Sequence, residues 1–173
     1  MRPSPADPAA WNAYLAEGNA KQARKRVAAD VLLRDQADRL LLVNPTYKPG
    51  WDLPGGMAEA NESPHDAAVR ELREELGHTP NLRQLLVVDW VPPHGPWDDL
   101  LAFVFDGGTL TDTQAAHLRP HDTELSATAF MPLETARDLL NPRLRRRLDA
   151  AVRALGSGQP AYLRDGAADW GSL

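Results

Sequence analysis

The segment from Ser63 to Gly77 reads Ser-Pro-His-Asp-Ala-Ala-Val-Arg-Glu-Leu-Arg-Glu-Glu-Leu-Gly and leaves the chain little choice of local structure. Ser63 is placed to accept the Asp66 amide as an N-cap. Pro64 presets φ at the first helical position, and Asp66 reaches back toward Ser63. Gly77 supplies the left-handed residue that closes a helix. The residues between are good helix formers. Ala68, Leu72 and Leu76 recur every four positions, which predicts a face packed on a core.

Glu71, Glu74 and Glu75 share another face at i, i+3 and i+4, within about 100° of arc. Like charges at these spacings oppose one another. The last turn of a helix, the negative end of its dipole, disfavours carboxylates further. Two readings follow: a solvated acidic face relieved by Arg70 and Arg73, or a cluster of hard oxygen ligands for Mg²⁺ or Mn²⁺. Local rules are broken most often where function demands it. The preceding loop, Leu53-Pro54-Gly55-Gly56, fits the second reading, because paired glycines let the backbone turn tightly and approach a ligand. It is not a lysine-containing phosphate loop, since no Lys follows the glycines.

Taken together, Gly56, five residues, Glu62, seven residues and then Arg70-Glu71-Leu72-Arg73-Glu74-Glu75-Leu76-Gly77 resemble the signature of the Nudix hydrolases, G-x5-E-x7-R-E-U-x-E-E-x-G-U with U aliphatic. His78 stands where the last aliphatic residue belongs, a packing position. Asn61 occupies a position that is often Gly, and Asn also tolerates the left-handed conformation. The resemblance implies an α/β fold, the Nudix α/β/α sandwich with a mixed β-sheet between helices. It also implies metal-dependent hydrolysis, with Mg²⁺ or Mn²⁺, of a nucleoside diphosphate linked to another group X. ADP-ribose and nucleotide sugars are the first substrates to consider. The alternatives are a nucleoside triphosphate pyrophosphatase of the 8-oxo-dGTP type and a catalytically silent nucleotide-sensing domain.

Carried onto this sequence, the resemblance makes Glu74 and Glu75 metal ligands and Glu71 a third ligand or the base. The carbonyl of Gly55 completes the shell, Arg70 orients a helix glutamate, Gly56 supports the site, and Glu62 supports the loop, pairs with Arg70 or touches a second metal. Family members often add an acid from outside the signature. Glu124 is the candidate here, ahead of Asp98 and Asp99, and each also reads as a surface acid. His94 sits in a Pro-rich loop expected at the edge of the site. Trp51, Trp90 and Trp97 are candidates to stack on a base, or equally to pack. Pro93, fifteen residues past the signature, resembles the ADP-ribose pyrophosphatase group. Isoprenoid diphosphate isomerases of related fold use a cysteine, and this chain has none.

The rest of the chain reads as strands and helices around this centre. Residues 26–33 and 39–44 form a predicted hairpin, and 44–54, with three prolines, is mostly loop. Residues 85–91, 100–105 and 129–132 are further strands. Residues 134–140 form a short helix, and Asn141-Pro142 opens a longer one to about 155, closed by Gly156-Ser157-Gly158. In that helix Leu144 and Leu148 face inward, and the arginines at 143 and 145–147 read as a solvated face. The expected organisation is a disordered head over 1–6, a helical extension over 7–19, the catalytic domain over 20–156 and a tail over 157–173. In the extension Trp11, Tyr14 and Leu15 share a face, expected to dock on the core. Trp11 or Trp170 is a candidate homodimer contact.

Composition narrows the classes. With 173 residues and 43% hydrophobic content the chain can bury one core. The absence of cysteine excludes disulfides, thiolate zinc sites and a cysteine nucleophile. Lys+Arg 19 against Asp+Glu 24 gives −5, a poor balance for a nucleic-acid binder. No apolar run reaches the length of a membrane span, and the N-terminus lacks the apolar stretch of a secretory signal. The expectation is a cytoplasmic enzyme with a small-molecule nucleotide substrate.

Overall fold

The computed structural model describes residues 2–168. At its centre is β1 (Arg26–Arg34), whose run of Val, Ala and Leu suits a strand covered on both faces. It pairs antiparallel with β2 (Leu40–Pro45) and with the short β3 (Gly55–Met57), and parallel with β5 (Leu100–Thr109). β4 (Leu85–Val91) is antiparallel to β5 and parallel to β7 (Ala161–Arg164). With β6 (Leu125–Met131) on β2 and β8 (Ala167–Ala168) on β7, the mixed sheet runs β6-β2-β1-β5-β4-β7-β8.

The period-two alternation of strands decides the layers. Ala29, Val31 and Leu33 of β1, with Leu41 and Val43 of β2, pack against Ala68, Leu72 and Leu76 of α2 (Pro64–Leu76). Leu32, Leu40 and Leu42 point the other way, into a core closed by Ala136 of α4 (Leu133–Leu139) and Leu148 and Ala151 of α5 (Pro142–Ser157). The result is the expected α/β/α sandwich. Among the described residues no helix is long and apolar enough to cross a membrane.

Four local expectations differ. β6 starts at Leu125, not 129, because the ladder with β2 runs from Leu40–Met131 to Pro45–Leu125 and extends pairing through residues of weak strand propensity. α3 (Asp112–His117) was not foreseen; Thr111 and Gln114 give it a capping box. Residues 161–164 and 167–168, without periodicity, become strands because β4 offers them a free edge. Finally, no residue of α1 (Pro8–Ala20) is buried. Its Trp11 and Tyr14 rings meet at 5.7 Å and the Arg2 guanidinium covers Trp11 at 4.9 Å, so the apolar groups satisfy one another at the surface. Trp170 lies outside the described residues.

Candidate active site

α2 is capped as its residues require. Ser63 Oγ accepts the Asp66 N–H at 3.1 Å, and Gly77, at φ +64°, donates its N–H to the Arg73 carbonyl. Asn61 takes φ +63°, the left-handed position where the tight loop before the helix needs it. These ends fix the helix so that Arg70, on the face toward the loop, becomes a clamp. Its Nε and Nη2 bind both oxygens of Glu62 at 2.9 and 3.0 Å, Nη1 reaches Glu71 at 2.9 Å and Glu74 at 3.0 Å, and Nη2 also donates to the Met57 carbonyl at 3.0 Å. The hydrogen bonds from Arg70, and then the Glu59 N–H, hold the Glu62 carboxyl down to about 2.

The two glycines of the loop meet the other glutamates. The Gly55 N–H donates to Glu75 at 3.1 Å. A Cβ on Gly56 would stand 2.5 Å from the Glu71 carboxyl carbon, so only glycine leaves that carboxylate its place. Gly55 sits at φ +139°, and a Cβ there would collide with the Ala29 carbonyl of β1. Glu75 is buried, and burial pushes its carboxyl up to about 8; the Gly55 N–H opposes this, and Glu71, Asp122 and Asp30 add to it. Burial also raises Glu71, Arg70 counters it, and Glu74 and Glu124 reinforce it. Glu124 therefore lies within electrostatic reach of the helix face, while its backbone carbonyl holds Thr46 at the β2–β6 edge.

Gly55 and Gly56 also line a cleft of about 460 Å³. Its floor is β1, with Asp30, and one wall is the start of α5, with Arg143 and Arg147. The rim is the turn from His94 to Trp97. Of the three candidate tryptophans only Trp97 lines it, 55% exposed, with the Arg26 guanidinium 4.5 Å above its ring. Trp51 packs against the α5-side core. Trp90 donates its indole N–H to Asp99 at 2.8 Å, and Asp99 also pairs with Lys25, so both are held away from the cleft.

Sequence reasoning missed the floor of this cleft. Arg147 is 5% exposed rather than on a solvated face. It donates to Asp89 at 3.1 Å and lies 3.4 Å from Asp30. Asp30 and Asp89 both point to the α5 side, because each occupies the same strand face as the apolar residues two positions away. A lone aspartate inside Val27–Leu33, and another inside Leu85–Val91, were the available signals. Burial drives the Asp30 carboxyl up to about 7, against the pull of Arg147.

Residues 24–153 match the profile of the NUDIX domain. The chain belongs to the Nudix family. It is 33% identical over 122 residues to a CMP-5'-(N-acetyl-N-hydroxy-3-aminopropyl)phosphonate hydrolase of Streptomyces rubellomurinus, a match covering 65% of this chain and 54% of that one. It is 31% identical over 107 residues to an ADP-ribose pyrophosphatase of Methanocaldococcus jannaschii, covering 60% of each. These matches thus span little more than half of the relatives' lengths. The NUDIX domain of Shewanella oneidensis NrtR complexed with ADP ribose shares the fold, with a TM-score of 0.67 at 19% identity over 83% of this chain and 97% of that one.

In this Nudix domain no three acidic or imidazole side chains among the described residues converge on a metal position as they stand. Glu71 and Glu74 turn to Arg70, and Glu75 to Gly55. The donor chemistry nonetheless fits a hard divalent cation: three carboxylates and a loop backbone on one helix face. The Glu74 side chain is half exposed and bound to Arg70, and among the described residues the buried Glu75 carboxyl accepts one hydrogen bond, from the Gly55 N–H.

Proposed function

We propose that this chain is a pyrophosphohydrolase that depends on a divalent cation, Mg²⁺ or Mn²⁺. It cleaves the diphosphate bond of a nucleoside diphosphate linked to a second group X, with ADP-ribose and nucleotide sugars as leading substrates. The observation that carries this reading is the meeting of the acidic helix and the cleft at Gly55–Gly56. Glu75 and Glu71 touch the loop from the α2 side, and the same two glycines line the cleft.

Glu74, Glu75 and the Gly55 carbonyl are the groups assigned to hold the cation, with Glu71 as a further ligand or as the base that takes a proton from water. A bound cation supplies charge to offset the diphosphate and lowers the pKa of a water molecule. The protein's own part is placement. Arg70 ties Glu71 and Glu74 to Glu62 and the Met57 carbonyl, so loop and helix move as one body. Trp97 offers an exposed ring for a nucleobase at the rim. The relatives that act on ADP-ribose and on a CMP-linked phosphonate support a linked nucleotide as the substrate class.

The test is hydrolysis of ADP-ribose, UDP-glucose, 8-oxo-dGTP, the common dNTPs and a dinucleoside polyphosphate, with Mg²⁺, Mn²⁺ or EDTA, products resolved by chromatography. Cleavage at a diphosphate bond is expected with metal and not with EDTA. Glu74→Gln is expected to remove most turnover without lowering the melting temperature. Ligand-induced thermal shifts without turnover on any substrate would overturn the enzymatic reading in favour of a sensing domain.

A further inference from the structure

The chain carries a formal net charge of −5, yet its cleft is lined by Arg26, Lys48, Arg143 and Arg147 against only Asp30 and Asp52. Their partners separate the four cations. Lys48 is ion-paired with Asp52. Arg147 is buried between Asp89 and Asp30. Arg26 lies over Trp97 and donates to the Asp98 carbonyl at 3.3 Å. Arg143 uses only its Nε, which donates to Asp165 at 2.5 Å. Among the described residues its two terminal amino groups make no hydrogen bond.

The pose of Arg143 is set by the turn between β7 and β8, outside the residues that match the family profile. Asp165 donates its N–H to the Trp90 carbonyl at 2.9 Å and accepts Arg146 Nη2 on its own carbonyl at 2.9 Å. Gly166 donates to Asp89 at 3.0 Å. At φ +78°, a Cβ on Gly166 would stand 2.9 Å from Arg146 Nε and 3.2 Å from the Arg143 carbonyl oxygen. The turn is thus seated directly on the first turns of α5. It shares Asp89 with Arg147 and holds Arg143 at the cleft through a charge-assisted bond.

From this arrangement we infer that Arg143 binds an anionic group, carboxylate or phosphate, on the X portion of the substrate, and that Asp165 is its positioning residue. The inference rests on the reading of the cleft as the place where the diphosphate is cleaved. The bond to be broken belongs against Gly55 and Gly56, next to the helix glutamates, and the Trp97 rim offers a face for the base. Arg143, on the α5 wall, is left for what lies beyond the linkage. Its planar guanidinium, anchored through Nε, presents two amino groups of the kind that grip carboxylate or phosphate oxygens in pairs.

UDP-glucose and UDP-glucuronate differ by one carboxylate, and UTP supplies the phosphate arm. Kinetics with metal and calorimetric binding with EDTA are measured on the full chain. The wild type is expected to prefer UDP-glucuronate or UTP over UDP-glucose in both measurements. Arg143→Ala is expected to raise KM and Kd for the preferred ligand about tenfold or more, with kcat changed far less. Arg143→Lys should recover part of the loss, and Asp165→Asn should show the same split in smaller measure. Preference for the carboxylate alone, or the phosphate alone, identifies the group. Equal losses on charged and uncharged ligands, or no change, would overturn the assignment. Discrimination in binding without turnover would count against the hydrolytic reading and leave Arg143 assigned.

Discussion

The Gly55 backbone N–H and the Glu75 carboxylate, 3.1 Å apart, join the short strand β3 to the last turn of α2. This bond places a buried carboxylate beside a glycine pair that lines the cleft. The two glycines differ in kind: a Cβ on Gly55 would meet the β1 backbone, and one on Gly56 would meet the Glu71 side chain.

That difference separates two variants. Gly56→Ala meets the end of the Glu71 side chain, which can shift, so the fold should survive while a displacement near 1 Å costs about 100-fold in turnover. Gly55→Ala meets the Ala29 carbonyl and must abandon φ +139°, so stability should fall by about 1–3 kcal/mol. Melting temperature and kcat measured on both variants check the contrast. Equal loss of stability in both would contradict it.

Arg70→Lys tests the clamp. A lysine carries the charge but cannot span Glu62, Glu71, Glu74 and the Met57 carbonyl with one ammonium. If Arg70 orients metal ligands as proposed, activity is expected to fall about 10- to 100-fold. Titration of Mg²⁺ dependence should show a weaker apparent affinity, and an unchanged titration would argue that Arg70 serves the fold alone.

Asp35, in the β1–β2 turn, gives a pH dependence of stability. Burial alone would push its carboxyl up. The N–H groups of Arg39 and Ala37 and the Arg39 guanidinium, with bonds of 2.9, 3.0 and 2.7 Å, outweigh burial and hold it below its ordinary value of 3.8. The unfolded chain takes the proton first as pH falls, so this stabilisation is complete above the ordinary value and is lost as pH drops through the lowered one. Asp35→Asn should cost about 1–3 kcal/mol at pH 7, and urea titrations near pH 2.5 should show a smaller gap.

Leu72 is fully buried between α2 and the sheet. Leu72→Ala should cost about 2–5 kcal/mol, read as a lower urea midpoint with an unchanged slope. A loss well below that range would mean the α2 layer closes over the space left.

The helix and the placement of its glutamates are legible in the sequence because their causes are local. Ser63, Pro64, Gly77 and the four-residue repeat of Ala68, Leu72 and Leu76 act over a few turns, and each is where it was expected. The floor of the cleft was not legible. Arg147 looked like one arginine in a basic run, and its burial depends on Asp89 and Asp30, 58 and 117 positions away. Trp51, Trp90 and Trp97 are indistinguishable as sequence, and only the folded course of the β4–β5 connection places one of them, Trp97, at the cleft.

The sequence by itself determined the capped helix, its spaced glutamates, the glycine pair before it and the family to which they belong. These follow from helix period, capping chemistry and backbone freedom, which need no distant partner. Only the tertiary structure decided that Asp30 and Asp89 meet Arg147, that Arg143 is held at a cleft and that the Asp165–Gly166 turn is the element holding it there. Those contacts depend on β1 lying beside β5 and β4 beside β7, and strand pairing across so many residues is set by the energy of the whole sheet rather than by any local pattern.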